Sequence, residues 1–441
     1  MRGLRTLRAR LDATGRLQVF NLTGFASTLL TGIFLARSGL PAGDISAYEM
    51  LLFLSALVTA FWVGGGQNAL LGLYAKLDAP ARRGLFFQTF VGFAGASALA
   101  AVVLWAAGDA LIREFTPFER VDWLPELALY TVFNPVGYLI HVYYLVLKRE
   151  RTMLRVGVVN FGLQFLVAVV PVYLGYGLKA VFPGLVALAV LRWMWAAQLA
   201  FRHGTVRASW RTLLPFGAFL LPLVLRDLVA RAAQFTDGLL VGRLFEDEAA
   251  FAVFHYGARE LPISVLVVSA LVSTGLLETA RDRTAGLALL RRQSAALMRW
   301  LFPVSAVLIL GSPWLFRGFY GAEFVASAAV FNVYLLLVLT RIFLPQVVII
   351  SAGKRHAYWL IWFAVVEAAV NIALSIWWGR RFGMVGIAAA TVVAYAVNKA
   401  LMVGYCQRRL GVGVSAYLNG RVFLGYGLVV VLAFLGWWCV A

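Results

Sequence analysis

Ten ionisable side chains stand inside long apolar runs of this chain: Arg192, Arg226, Asp227, Arg231, Asp237, Arg259, Glu260, Arg341, Glu367 and Lys399. Six are cations and four are acids. A charge at the centre of a bilayer costs about 3 kcal/mol or more on insertion scales. Each such residue is therefore expected to face a bundle interior or a watery cavity. The chemistry available to them is ionic. Guanidinium groups hold phosphate through paired, charge-assisted hydrogen bonds, and carboxylates can hold those cations when no anion is bound.

The stretch "RDLVARAAQFTDGLLVGR" (Arg226–Arg243) concentrates four of the ten. At about 100° per residue, Arg226, Asp237, Gln234, Asp227 and Arg231 share one arc of about 140°, and Leu225, Leu228, Val229, Phe235, Leu239 and Leu240 fall outside it. Asp227 and Arg231 are spaced i,i+4 and can pair. The next apolar run, "FAVFHYGARELP", puts His255 and Arg259 on one face with Glu260 beside them. Neutral polar groups at helical spacing follow the same pattern: Asn134/Tyr138/His141, Asn160/Gln164 and, with one acid, Glu367/Asn371.

A structural reading stands beside the functional one. Intramembrane charges can simply neutralise one another between helices. His141 and His255 read more readily as satisfied structural histidines than as proton relays. The glycine-rich "VGGGQNALLG" (Val63–Gly72) suits close helix packing and also suits a break in the second helix. The surplus of two cations among the ten is harder to place in a purely structural network.

Enzymatic motifs are missing. "AGKRH" lacks the glycine spacing and Ser/Thr of a phosphate-binding loop, and there is no GxSxG, HExxH or CxxC. The two cysteines (Cys406, Cys439) and four histidines (His141, His203, His255, His356) have no ligand spacing. No catalytic residue, metal or cofactor is expected. Asp44 and Glu49 are the only hint of a membrane enzyme with an external catalytic loop.

Helices must position these side chains. The 441 residues are 62% hydrophobic and 13% charged, far from the roughly one-quarter charged soluble norm, with a mean hydropathy of +0.84. That composition predicts an all-α polytopic membrane protein. Spans of roughly 20 apolar residues are expected near 17–36, 47–71, 84–107, 124–147, 156–176, 178–201, 212–242, 249–277, 298–317, 325–350, 357–378, 384–405 and 422–440. The basic N-terminal segment (Arg2, Arg5, Arg8, Arg10, Arg16) followed by Leu17–Ala36 reads as a first span, since the apolar run is too long for a signal peptide. With that end cytoplasmic, 25 of the 39 Lys and Arg fall in inside segments and 8 in outside loops, as the positive-inside rule demands. The net charge of +19 is thus mostly an orientation signal and an attraction to anionic lipid. It does not mark a nucleic-acid binder.

The chain also partly repeats itself. An offset of 206 carries "GIFLAR" (Gly32–Arg37) onto "GLLVGR" (Gly238–Arg243), Lys148-Arg149 onto Lys354-Arg355, and Gly177 onto Gly383. This spacing equals six spans, so both copies enter the membrane from the same side, as a parallel repeat. The expected organisation is an N-lobe over residues 1–205 (helices 1–6), a C-lobe over 206–410 (helices 7–12), and an additional spanning helix within 411–441. "RHGTVRASWR" joins the lobes. In the first copy, Arg226, Asp227, Arg231 and Asp237 are replaced by Phe20, Asn21, Phe25 and Thr31.

Two stretches carry a family likeness: "DGLLVGRLFEDEAAFAVFHYGARELP" (Asp237–Pro262) and "FGMVGIAAATVVAYAVN" (Phe382–Asn398). With two six-helix lobes, they resemble the MOP exporter superfamily, and within it the Wzx-type polysaccharide (O-antigen) flippases. The likeness covers residues 10–410. It implies a two-lobe transporter of the bacterial cytoplasmic (inner) membrane. Such a protein moves undecaprenyl-diphosphate-linked oligosaccharide to the outer leaflet by alternating access, for lipopolysaccharide O-antigen or exopolysaccharide assembly. Thirteen helices depart from the family's usual twelve or fourteen.

By role within that family, Arg226, Arg231 and Arg259 would take the diphosphate, with Lys399 and Arg341 as further candidates. Asp227, Asp237, Glu260 and Glu367 would hold or gate these cations. Gln234, Asn371 and Asn398 would meet sugars. Implied partners are the lipid-linked oligosaccharide, membrane lipids, a polysaccharide polymerase and glycosyltransferases. Two relatives in the superfamily are alternatives. MATE-type cation-coupled drug antiporters typically carry an acid in the first helix, where this chain has Asn21. Lipid II (MurJ-type) flippases have a more cationic first lobe and two extra helices. More remote alternatives are a glycan-assembly enzyme or a membrane scaffold.

Overall fold

A computed structural model describes residues 13–74, 77–116, 123–205, 210–259 and 262–440. The described residues are helical almost throughout. The helices are α1 (Ala13–Ala36), α2 (Ala42–Tyr74), α3 (Ala79–Phe115), α4 (Leu124–Gly137), α5 (Leu139–Val146), α6 (Glu150–Tyr173), α7 (Leu178–His203), α8 (Trp210–Leu244) and α9 (Ala250–Gly257). They continue as α10 (Pro262–Arg281), α11 (Arg283–Phe319), α12 (Ser327–Leu335), α13 (Leu337–Arg341), α14 (Pro345–Ser351), α15 (Lys354–Ala357), α16 (Trp359–Leu410) and α17 (Gly420–Val440).

Local chemistry sets several of these ends. The Asp78 carboxylate accepts from Ala81 N at 3.1 Å, and Pro80 supplies the fixed φ of a first turn. Asp282 caps α11 by accepting from Thr284 N and Ala285 N at 2.8 and 3.1 Å.

Each expected span coincides with a helix or a broken helix. Among the described residues, eight helices are long and apolar enough to cross a membrane, or nine if the pair Ser327–Arg341 and Pro345–Ser351, bent by 42°, is one span. The expected 124–147, 249–277 and 325–350 are interrupted next to Pro135, Pro262 and Pro345. A proline removes a backbone donor and crowds the preceding turn. The expected 357–378 and 384–405 run together as α16, kinked at Gly383. Of the two readings of "VGGGQNALLG", close packing is the one that forms, and the second helix is not broken there. α2 is continuous from Ala42 to Tyr74, and its glycines admit close neighbours instead. A Cβ on Gly65 would meet Val224 at 2.9 Å, and one on Gly66 would meet Phe93 at 2.5 Å.

The repeat recurs in helix bounds. α3 and α11 are each 37 residues long. The break around Tyr138 has its counterpart in the turn at Leu344, before Pro345. Gly177 (φ 59°, ψ −157°) and Gly383 (φ 67°, ψ −151°) hold nearly the same backbone 206 positions apart, in a region open essentially to glycine alone. The chain therefore has two six-helix lobes in parallel repeat plus a C-terminal helix.

The chain forms two compact units, residues 1–231 and 232–441, whose bound falls inside α8. In the first, Phe86, Phe90, Phe93, Leu139, Tyr143 and Ala200 build a core from α3, α5 and α7. α1 lies against α6, with Gly24 facing Phe161 and Gly157 facing Phe20. In the second, α17 packs on α11, burying Val430, Ala433 and Trp437 in the same core as Phe302. Leu99, Val102 and Trp105 on α3, and Val307 and Trp314 on α11, are exposed apolar side chains of the kind a lipid bilayer covers. The protein is an integral, multi-pass membrane protein.

Candidate functional site

In the first unit, the best-defined polar centre is Arg192, a residue the sequence marks as a buried charge without assigning it a partner. Arg192 is 8% exposed. Nε donates to Asn160 Oδ1 at 2.5 Å, one terminal nitrogen to Asn134 Oδ1 at 3.0 Å, and the other to Gln164 Oε1 at 3.0 Å. Three helices meet here. Asn134 comes from α4, Asn160 and Gln164 from one face of α6 at i,i+4, and Arg192 from α7. Gly137 gives the arginine stem room, since a Cβ there would meet Arg192 Cβ at 2.9 Å. All three acceptors are neutral amides. The centre is cationic, with no carboxylate in its described hydrogen bonds. Gln67 closes a second gap. Its Nε2 donates to the Tyr138 carbonyl at 3.0 Å, exactly where the α4–α5 break frees a backbone acceptor.

On α8, Asp227 and Arg231 both turn toward Gly64 of α2. A Cβ at that glycine would lie 2.6 Å from Asp227 Oδ2 and 4.0 Å from an Arg231 terminal nitrogen. The side chains of Arg226 and Gln234, and Glu260 altogether, lie outside the described residues. His141 packs against Phe20 with ring centroids 5.0 Å apart, and His255 stacks on Phe251 at 5.8 Å; both contacts suit a structural histidine.

In the second unit, the C-terminal part of α8 delivers Asp237, which is 2% exposed. Its Oδ2 accepts from Tyr334 Oη at 3.1 Å and Thr391 Oγ1 at 2.5 Å, and its Oδ1 from Ser375 Oγ at 3.2 Å. Asn371 Nδ2 donates in turn to Thr391 at 2.9 Å. Four of these groups, Ser375, Thr391, Tyr334 and Asn371, come from α12 and from both arms of kinked α16. Their partners are neutral. A buried carboxylate held by three hydroxyls, with an amide behind one of them, is a place where a proton or a small hard cation could be exchanged. Asn371, expected at sugars, is fully buried in this cluster.

A second cluster lies further along α16. Asn398 donates to Glu367, and Lys399 Nζ donates to Gln346 Oε1 at 3.0 Å. The Tyr395 ring carries two cations, Lys399 Nζ at 5.2 Å and the Arg341 guanidinium at 5.6 Å from its centroid. Arg259 lies over the Tyr256 ring at 4.9 Å. Arg259 and Arg341 line one narrow pocket with Ser264 and Tyr334, and Tyr334 is also the donor to Asp237.

The fold thus brings together Arg259 with Arg341, Arg341 with Lys399, Glu367 with Asn398, and Asp237 with Asn371. Sequence reasoning missed the convergence on Arg192. The signal was present in the i,i+4 amides Asn160 and Gln164, but nothing along the chain says which helix they face.

No family model and no curated protein matches the chain. Solved structures do. The chain aligns with lipid II flippase MurJ in its inward closed conformation at 16% identity and a TM-score of 0.69, over 96% of this chain and 98% of that one. An inward-facing multidrug resistance MATE family transporter of the MOP superfamily aligns at 14% identity and 0.68, over 92% and 99%. A MOP superfamily transporter from Pyrococcus furiosus, described as having a binding pocket of reverse polarity, aligns at 15% and 0.58, over 92% and 96%. The chain has the two-lobe fold of these transporters over 92–96% of its length.

Proposed function

We propose that this protein is a flippase for undecaprenyl-diphosphate-linked oligosaccharide, acting in the bacterial cytoplasmic membrane with its N-terminus cytoplasmic, for cell-surface polysaccharide assembly. The observation that carries the reading is the pair of guanidinium groups, Arg259 and Arg341, lining one narrow pocket where two apolar helical runs are broken, after Gly257 and after Arg341. A diphosphate leaving water needs fixed cations and hydrogen-bond donors in a medium where both are scarce. Arginine supplies both, in a geometry matched to phosphate. The half-buried Tyr395 ring beside Arg341 suits a sugar face that follows the diphosphate. Arg226 and Arg231 are proposed as further diphosphate-binding cations of the first unit, with Lys399 in reserve in the second. Asp227, Asp237, Glu260 and Glu367 are the proposed counter-charges. The lobes would alternate access, and outward movement of each negative charge would gain about 2.3 kcal/mol per 100 mV of inside-negative potential.

The test is translocation of the lipid-linked oligosaccharide in proteoliposomes. Arg259→Ala and Arg341→Ala, each at normal protein level, should lower the rate about tenfold or more, the worth of a charge-assisted hydrogen bond. Unchanged rates in both variants would remove the diphosphate role.

One observation favours a second reading, a cation-coupled antiporter: Asp237 is a buried carboxylate whose described hydrogen-bond partners are three neutral hydroxyls. Asp237→Asn would abolish cation-dependent transport. If it does so while lipid-linked substrates are never moved and cationic drugs are, the antiporter reading replaces the flippase.

A further inference from the structure

α11 is 37 residues long, about 55 Å at 1.5 Å per residue, whereas a hydrocarbon core is about 30 Å thick. Its first fifteen residues, before the apolar run begins near Met298, therefore reach past the lipid tails. This segment carries Arg283, Arg291 and Arg292, with Arg299 at the junction. Within the second unit it forms one wall of an open groove of about 580 Å3, lined by Leu287, Ala288, Arg291, Arg292, Ala295 and Arg299, and closed on the other side by Ala416 and Asn419, just before α17.

The helix geometry explains the shape. At about 100° per residue, Arg291, Arg299 and Arg292 fall within about 100° of one another, with Ala288 and Ala295 between them. Alanines make the floor low and apolar, and three guanidinium groups stand around it. Neighbouring cations are engaged: Arg281 pairs with Glu278 at 3.5 Å, and Arg283 donates to the Leu410 carbonyl at 3.3 Å. No carboxylate lines the groove, and among the described residues none pairs with Arg291, Arg292 or Arg299. All three are exposed. The groove lies on the side that the lysine and arginine distribution assigns to the cytoplasm.

We propose that this groove binds the phosphate headgroup of an anionic phospholipid of the cytoplasmic leaflet. Three unneutralised guanidinium groups at the level of the headgroups attract phosphate. The alanine floor between the guanidinium groups suits the glycerol and the first acyl carbons. A soluble anion would gain the charges but leave that floor unfilled. The site is independent of what the lobes transport. It would anchor the end of the second unit where α11, α16 and α17 meet.

The experiment is native mass spectrometry of the full-length protein in detergent, titrated with cardiolipin, phosphatidylglycerol or phosphatidylcholine. The variants are Arg291→Gln, Arg292→Gln and Arg299→Gln, singly and together. Arg380→Gln/Arg381→Gln, on the opposite face by the charge count, is the control for general surface charge. The wild type should retain the anionic lipids over phosphatidylcholine. That preference should fall about fivefold for each arginine removed and about a hundredfold for all three, at about 1 kcal/mol per cation, while the control keeps it. Melting curves without lipid show that the variants fold. Retention of the preference by the triple variant, an equal loss in the control, or displacement of bound lipid by millimolar inorganic phosphate would each overturn the proposal.

Discussion

Arg192 and Asp237 are the two buried charges that the fold solves in the same way with opposite sign. Each is held by neutral groups, three amide oxygens for the cation and three hydroxyls for the anion. Removing a partner from such a centre leaves a desolvated polar group unmatched, at about 1–3 kcal/mol each. Arg192→Met should therefore cost several kcal/mol, because three acceptors lose their donor at once, whereas Asn160→Ala should cost about 1–3 kcal/mol. Arg192→Lys should fall nearer the Met variant than the wild type, since an ammonium on a flexible stem does not reproduce a planar fork. Thermal unfolding in detergent ranks the three; a stable Arg192→Met protein would show the centre to be dispensable for folding. The sequence displays both charges, because an ionisable residue in an apolar run is conspicuous. Their partners are invisible there, being neutral residues on helices up to 154 positions away.

At the scale of elements, the spans and the repeat were legible, because an apolar run of fixed length and a constant offset are one-dimensional signals. The breaks were less so. Prolines mark where a helix is weakened, but whether it stops depends on what satisfies the freed backbone, as Gln67 does at Tyr138. "GGGQN" is ambiguous for a related reason: glycine lowers helix propensity, yet inside a membrane bundle it also permits contacts such as Gly66 with Phe93, and packing wins. Gly177 and Gly383 are the opposite case. Their positive φ, 59° and 67°, is a backbone requirement, in open surroundings where no neighbour would crowd a methyl group at Gly177. Gly177→Ala and Gly383→Ala should each lose about 1–3 kcal/mol to strain, by the same mechanism in the two copies. Equal shifts in melting temperature are the expected result. A loss at one position only would mean that the repeat is a likeness of sequence without a likeness of backbone constraint.

For the whole molecule, the alternation of basic and acidic loops is a statement about which ends of the helices share a side. It can be checked without knowing the substrate. Cys439 is exposed and Cys406 is buried, so both are first replaced by serine and alanine respectively. Single cysteines are then placed at Asp247 and Glu323, in loops assigned to the outside, and at Thr284 and Ser415, assigned to the inside. All four positions are exposed. An impermeant thiol reagent added to intact cells should label the first two and leave the last two until the membrane is opened. Thr284 is the informative site, since it lines the groove with Arg291 and Arg299. Labelling of Thr284→Cys from outside would invert the second unit. It would also move the basic groove away from the cytoplasmic leaflet, and, with the N-terminus cytoplasmic, it would break the parallel repeat, since six spans between copies force both to enter from one side. Protection of Thr284→Cys together with labelling at 247 and 323 fixes three loops on the predicted sides, and the single span between each neighbouring pair of loops then follows from the helix order.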